Sequence, residues 1–376
     1  MSFVRSFDRS IFETQRRVMA VRTPKQYCQR MHDALKDHLL MNGRHKNIQM
    51  DPTSPAYRLI LLRASELSQI PIPLREWLLQ QPSVSIAPMS LQQHYADFSA
   101  EEVFRRILPS GIVPPTSFEQ VGSIVHVNLD DALLPYKYVI GQVLLDKVPS
   151  CRTVVNKVGK IVSPWRTFDM EVLAGEKDTH VTVREGSCVY SFDYSKVYWN
   201  ARLHREHLRL VDSFSRSDVV ADMFCGVGPF ALPAAKRGCR VFANDLNPNC
   251  FTALRDNIRR NHVERLVTPF NMDARAFVAM LARMAIPVTQ VIMNLPASAE
   301  TFCDVFRTCF ADASIPLPRI HCYMFSNQKD PIADSISRLE EVLQRKLAGG
   351  AVEGRVVREV APHKQMTLVS FQLEGK

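Results

Sequence analysis

The 376-residue sequence has no C-x-x-C pair and no pair of histidines at zinc-ligand spacing. Its nine scattered cysteines therefore read as reduced thiols, and no metal site is expected. No apolar run is long enough to cross a bilayer, which argues against a membrane protein. Internal repeats and low-complexity tracts are also missing, so neither a solenoid nor a compositionally biased tail is expected. What is present is the composition of an ordinary globular chain, 46% hydrophobic and 23% charged, long enough for two or three cored domains. Its charge is unbalanced at +9, which suits a polyanionic partner, although many basic proteins bind no nucleic acid.

Three regions separate by pattern. Residues 1–92 form an N-terminal accessory region with helical runs at 27–40 and 56–67, and 81–88 reads as a connection onward. Arg5, Arg9, Arg16, Arg17 and Arg22 crowd its start, broken by Asp8 and Glu13; they read equally as a transit peptide or as an Arg-bearing amphipathic helix. Residues 93–195 read as a small α+β unit. Ser99-Ala-Glu-Glu102 is a capping box ahead of a helical run at 103–108, which Pro109 and Pro114-Pro115 stop. Strand patterns at 123–129 and 152–158 enclose a helical run at 134–145. Two period-2 segments, 180–184 and 188–192, flank Glu185-Gly186 as a hairpin. In residues 196–376 strands (218–224, 240–244, 266–270, 290–293, 320–325) alternate with helices (231–237, 248–260). That βαβαβ rhythm predicts an α/β domain with a parallel, doubly wound sheet.

The chemistry of that last region is written at its strand ends. In Asp222-Met-Phe-Cys-Gly-Val-Gly-Pro-Phe230, Gly226 and Gly228 let the backbone turn tightly and approach a ligand. With Ala231 they also fit the relaxed dinucleotide fingerprint, so a nicotinamide cofactor can claim the loop. Asp222 would meet an ammonium group, as in the methionine part of S-adenosylmethionine. Asp245, at the next strand end, suits ribose hydroxyls of either cofactor. Asp273 would accept from an adenine amine. Capping a helix or a turn is the lesser reading of each acid alone; three at successive strand ends fit the ligand side of such a sheet. Asn294-Leu-Pro-Ala297 closes the fourth strand and turns an amide toward the crevice, as the edge of a planar nitrogen base requires; a plain strand-to-helix turn is the lesser alternative for that tetrad.

Further segments carry a resemblance. They include Ile124-Val-His-Val-Asn-Leu, Tyr136-Lys-Tyr-Val-Ile-Gly-Gln-Val, Thr153-Val-Val-Asn-Lys-Val and Met170-Glu-Val-Leu-Ala-Gly-Glu. Asp193-Tyr-Ser-Lys-Val-Tyr-Trp-Asn-Ala-Arg-Leu, Asn244-Asp-Leu-Asn-Pro, His321-Cys-Tyr-Met-Phe and Val360-Ala-Pro-His-Lys follow in order with the cofactor loop and the Asn294 tetrad. Over about residues 118–371 the chain resembles the archaeal and eukaryotic tRNA (guanine-N1-)-methyltransferases that act on guanosine 37. It departs from them at Cys225, where relatives often carry Ala, and matches poorly over its first ninety or so residues.

The resemblance implies a Rossmann-type methyltransferase domain at the C-terminus, a preceding tRNA-binding domain, S-adenosylmethionine as cofactor and the anticodon arm of tRNA as partner. It implies a monomer at work in the mitochondrial matrix, nucleus or cytoplasm. It assigns Glu206 as general base, Arg166 as the arginine near the guanine oxygen, and Asn294 and Pro296 as the frame of the base, with Asn294 counted among the catalytic and the cofactor-binding residues. Tyr198 and Arg202 would line the site, and Phe224, Leu246 and Ala274 would join Asp222, Gly226, Gly228, Asp245, Asp273 and Arg202 around the cofactor. Without the family, Glu206 reads as an exposed helix residue pairing with Arg202 four positions away, and Arg166 as a surface or phosphate contact.

The assigned roles fit the reaction. Guanine N1 holds a proton at neutral pH, so a base must remove it and a guanidinium would steady the charge that moves to O6. Lys137, Lys147, Arg152, Lys157 and Lys160, with Arg259 and Arg260, are candidates for following phosphates beside Tyr136, Tyr138 and Trp165. Two rivals remain: a transferase of the cofactor's aminocarboxypropyl group in wybutosine synthesis, and a tRNA-binding protein with an idle cofactor fold. A cytosine-5 enzyme is disfavoured because the strand-four Pro-Cys nucleophile is missing.

Overall fold

The computed structural model describes residues 3–40, 46–158, 169–309, 317–347 and 352–372. They divide into two compact units, one drawn from Met1–Glu119, Val125–Asn156 and Val172–Glu176, the other from Gln120–Ile124, Lys157–Glu171 and Lys177–Lys376.

The first unit begins with β1 (Thr14–Pro24), α1 (Cys28–Ala34), β2 (Ile48–Met50), β3 (Tyr57–Leu61), α2 (Ile72–Leu79) and β4 (Ser85–Gln93). The four strands form an antiparallel sheet of order β2-β3-β1-β4. Three expectations are corrected here. The arginine-bearing start is no amphipathic α-helix: Arg9 opens a short 3-10 turn, and Arg16, Arg17 and Arg22 lie on β1. The run 56–67 is largely β3, because Tyr57-Arg58-Leu59-Ile60-Leu61 finds partners on both sides in β1 and β2; a short apolar run cannot declare its own period. The connection 81–88 runs into β4, whose Pro88 is tolerated because β4 is an edge strand. α3 (Ala100–Ile107) starts at the expected capping box, with Ser99 Oγ accepting from Glu102 N–H and the Glu102 carboxylate accepting from Ser99 N–H. β5 (Glu119–Val121), β6 (Ile124–Val127), β7 (Thr153–Val158) and β8 (Asp169–Gly175) form a second four-stranded sheet in that order, with α4 (Lys137–Lys147) between β6 and β7 in sequence. Val125, Val127, Val154 and Leu173 pack with α3 and α4 residues in one core.

The second unit opens with the hairpin β9 (His180–Glu185) and β10 (Cys188–Asp193), then α5 (His204–Asp212). β11 (Val219–Asp222), α6 (Ala231–Lys236), β12 (Arg240–Asn244), α7 (Pro248–Arg260), β13 (Val267–Phe270), α8 (Ala274–Arg283) and β14 (Gln290–Met293) follow. β15 (Arg319–Ser326), α9 (Pro331–Leu343), β16 (Val352–Ala361) and β17 (Lys364–Gln372) complete it. The sheet order is β13-β12-β11-β14-β15-β17-β16, parallel through β15 as expected. The antiparallel pair β17 and β16 closes one edge, a feature the strand-helix rhythm did not contain.

Side chains of β11, β14 and β15 pack with α8, α9 and the 3-10 turn 299–307 into a core that includes Phe277, Leu281, Met293 and Leu339. Each such large apolar side chain contributes about 1.5–3 kcal/mol by leaving water. The order reverses between β11 and β14, and ligands of open α/β sheets bind outside the carboxyl ends at that point. The β9–β10 hairpin docks on α7, where Asn261 exchanges two hydrogen bonds with Val189 and Asn257 accepts from Ser191 N–H. Among the described residues no helix is long and apolar enough to cross a membrane.

Candidate active site

β11 ends at Asp222, whose side chain is 0% exposed and whose carboxylate has, among the described residues, no cation beside it, only the Phe224 backbone N–H close enough to favour its charge. Burial, with the nearby Asp245 adding to it, pushes this carboxyl up to about 8. A buried acid without a counter-charge is costly, and a cation placed against it would remove the cost. The chain then turns through two glycines that answer different needs. Gly226 (φ +53°) faces open space, with nothing within 4 Å of where a Cβ would stand. Gly228 (φ +101°) is packed, its would-be Cβ only 2.9 Å from Leu232 Cγ and 3.0 Å from Leu254 Cδ1. One glycine leaves room for a ligand; the other lets α6 and α7 close up.

Asp245 does more than await a ribose. Its Oδ2 accepts from Gly226 N–H at 2.8 Å and its Oδ1 from Asn247 N–H at 2.8 Å, so it ties the β12 end to the glycine loop. Burial raises its carboxyl above the usual range. Beside it Leu246 is 53% exposed, an apolar surface at the mouth of the crevice. Asp273 is the N-cap of α8: one oxygen accepts from Arg275 and Ala276 N–H, and Ala274 beneath it is buried. Capping uses only that one oxygen, so an adenine contact stays open to the other. Phe224 stands edge-on to Phe302 at 5.1 Å.

The asparagines that frame these groups have roles not legible in the sequence, although Asn244 and Asn247 stand in the segment Asn244-Asp-Leu-Asn-Pro. Asn244, fully buried, donates to the Met223 and Met272 carbonyls and accepts from Met272 N–H, locking three strand ends together. Asn271 donates to the carbonyls of Asp245 and Leu246. Asn247 donates to the Lys196 carbonyl at 2.9 Å, which fastens the segment leading to the exposed Tyr198 at the end of β12. The signal was an unusual density of Asn at strand ends, each able to imitate a backbone group.

Asn294 follows β14, next to β11 in the sheet, and its buried Oδ1 has no hydrogen-bond partner. Pro296, two residues on, gives its carbonyl to Phe325 N–H at 2.8 Å. The crevice thus holds a carboxylate without a counter-charge at one strand end and an orphan amide oxygen at its neighbour. That fits a ligand with an ammonium group on one side and a hydrogen-bond donor on the other.

Comparison with known proteins shows the family. Residues 181–348 match the TRM5/TYW2 methyltransferase domain and residues 100–179 the TYW2 N-terminal domain. The tRNA (guanine(37)-N(1))-methyltransferase of Phytophthora infestans is 42% identical over 97% of this chain and 92% of its own length. That of Batrachochytrium dendrobatidis is 37% identical over 98% and 89%. The chain belongs to the tRNA (guanine(37)-N(1))-methyltransferase family. Among solved structures, Trm5b from Pyrococcus abyssi superposes with a TM-score of 0.68 at 26% identity, covering 94% of this chain and 98% of that one.

The family's expected base, Glu206, is 6% exposed on α5 and fully engaged. Arg209 donates to both its oxygens (2.9 and 2.7 Å), Arg355 to Oε2 (2.6 Å) and the Tyr323 hydroxyl to Oε1 (2.9 Å). Burial alone would raise this carboxyl; the Arg209 contacts, then Tyr323 and Arg355, outweigh it and hold it below the usual range. The expected exposed pair with Arg202 is therefore replaced by one between the buried Glu206 carboxylate and the partly exposed Arg209, three positions on. The β14–β15 register ends at Met293 opposite Cys322, one residue before Asn294 and Tyr323, and the Tyr323 hydroxyl reaches Glu206.

Arg202 is exposed on the 3-10 turn that Asn200 caps. Arg166, Trp165 and Lys160 lie outside the described residues. Of the phosphate candidates, Lys147 is corrected: it is 7% exposed, donates to the Tyr95 carbonyl and lies over the Tyr95 ring. Arg152 pairs with Glu176, and Arg259, though exposed, pairs with Asp256.

Proposed function

We propose that this chain methylates N1 of guanosine 37 in tRNA, with S-adenosylmethionine as donor. The observation that carries the reading is the buried pair, Asp222 without a counter-charge and Asn294 Oδ1 without a hydrogen bond, at adjacent strand ends of a chain from this family. Asp222 holds the donor's ammonium group, Asp245 its ribose, and Leu246, Phe224 and Asp273 surround its adenine. The donor supplies a methyl group already activated on a sulfonium. Asn294 and Pro296 hold the guanine edge, with Tyr198 beside it. The target base must leave its stack to reach them, as in other enzymes that act on a base.

Glu206 takes the N1 proton and Arg166 steadies the charge arriving at O6. Because Arg209, Arg355 and Tyr323 occupy both oxygens of Glu206, proton acceptance requires at least one of these contacts to open. The ion pairs keep the carboxylate charged until then. Its lowered affinity for protons makes it a modest base, so the reaction leans on the stabilisation of O6.

Labelled methyl transfer to tRNA transcripts differing only at position 37 tests the proposal. Transfer to guanosine with a product nucleoside heavier by one methyl is expected. Because one matching domain model spans TRM5 and TYW2 proteins, the rival product is a heavier aminocarboxypropyl adduct, and finding it would overturn the reading.

A further inference from the structure

A cavity of ≈390 Å³ opens beside the Asn294 turn, lined by Pro296, Phe325, Asn327, Gln328, Arg338 and Lys364, with Asp334 at its wall. Its size falls in the roughly 300–1,000 Å³ span of small-ligand sites. Asp222, Asn294 and Glu206 do not line it, so it is distinct from the crevice just described, but Pro296 belongs to both. The two are rigidly joined through the hydrogen bond from Phe325 N–H to the Pro296 carbonyl.

The lining has three chemistries. Phe325 offers a ring, with the Lys364 ammonium 4.8 Å from its centroid. Asn327 and Gln328 are exposed amides, on a turn held by the bond from Gln328 N–H to Ser326 Oγ. Arg338 is oriented by Glu300 at 3.2 Å and Asp334 at 4.0 Å, yet its buried Nε and Nη2 complete no hydrogen bond. A ring for stacking, amides for a base edge and cations for phosphate are the set by which single-stranded RNA is held.

We propose that this cavity receives a nucleotide adjacent to the target guanosine in the anticodon loop. Its base stacks on Phe325, its edge meets Asn327 and Gln328, and its phosphate meets Lys364 and Arg338. The inference rests on the methylation reading above. A nucleotide bonded covalently to the one framed by Pro296 must leave the crevice past one side of that proline, and the cavity occupies such a side. Holding the neighbour would keep the target base splayed out and would give Pro296 two tasks.

The test uses the full chain and three transcripts: intact, abasic on the 5′ side of guanosine 37, and abasic on its 3′ side. With the unaltered enzyme, one abasic transcript should lose about tenfold in kcat/KM, the worth of a stacked base. Phe325→Ala should lose a similar factor on the intact transcript and little more on that abasic one. Lys364→Ala, whose half-buried side chain lies over a ring, is the variant less exposed to folding defects; it should show the same non-additivity at about threefold. The proposal is overturned if both abasic transcripts match the intact one within twofold. It is equally overturned if variant and abasic penalties simply multiply. No methyl gain on the intact transcript with unaltered enzyme would instead overturn the methylation reading, and this proposal with it.

Discussion

Asp222 and Glu206 are both buried carboxylates, and their surroundings push them in opposite directions. Asp222 has no cation, so burial lifts it to about 8. In the unfolded chain it titrates near the usual value of about 3.9. The folded state without ligand therefore binds the extra proton, and stability falls as pH rises from about 4 to 8. Asp222→Asn removes that decline, so its melting temperature relative to the parent should climb between about pH 5.5 and pH 8.5. If Asp222 holds the donor's ammonium as proposed, the same change should weaken S-adenosylmethionine roughly ten- to a hundredfold by calorimetry. In the parent, binding near neutral pH should release a proton, visible as an enthalpy that depends on the buffer. Equal affinity for the two proteins would remove Asp222 from the site. Glu206 meets the reverse situation. Glu206→Gln leaves Arg209 and Arg355 without their charge partner, but these side chains are 41% and 40% exposed, so solvent offsets much of the loss. The stability cost should be nearer 1 than the 3–5 kcal/mol of a sealed pair, about a few degrees in melting temperature. Turnover should fall at least about a hundredfold if Glu206 is the base. Turnover per folded molecule within a few-fold of the parent would assign Glu206 to the frame of α5 and not to the chemistry.

At the scale of elements, the loop after β11 is where local sequence says most. A glycine needs no distant information to announce a left-handed turn, and both Gly226 and Gly228 adopt one. Their division of labour was not legible, because it depends on what stands opposite. Gly226→Ala should cost about 1–2 kcal/mol for the backbone alone, while its methyl enters the ligand's space; donor affinity should suffer more than stability. Gly228→Ala adds a clash with Leu232 and Leu254 and should cost stability first, by about 2–4 kcal/mol. Denaturant melts with donor titrations separate the two, and identical behaviour would discard the distinction. The same logic explains the rest of what the sequence showed and hid. Alternating strands and helices declare the parallel sheet because each element carries its own period. The pairing of β3 with β1, the β16–β17 edge and the contact of Glu206 with Tyr323 and Arg355, 117 and 149 residues away, exist only through register. Asn257 shows how such contacts couple elements: it accepts from Ser191 N–H on the hairpin and donates to the Val227 carbonyl of the cofactor loop.

For the molecule as a whole, the excess of cations is a fact no internal pairing can remove. Arg9 with Asp146, Arg22 with Asp51, Arg237 with Asp212 and Arg275 with Asp304 show how many are neutralised locally. Yet even with every acid so occupied, nine Lys or Arg would stay without one. Lys147 is not available, since Tyr95 holds it in the interior of its unit, and Arg259 is shared with Asp256. Phosphate binding must therefore come from a dispersed set of exposed cations, each replaceable at small cost, and not from one decisive residue. Such a set reveals itself through counterion release. With about five phosphates neutralised, the logarithm of tRNA affinity should fall with the logarithm of salt at a slope of roughly 4. Raising salt from about 50 to 200 mM should then weaken tRNA binding more than about a hundredfold. Donor affinity should barely move over the same range, because Asp222 is sealed from bulk ions. In turnover, KM for tRNA should rise with salt while kcat stays level, since the lost contacts hold ground state and transition state alike. Filter binding across a salt series measures the slope. A slope below about 1 would mean that the charge excess serves something other than the tRNA backbone.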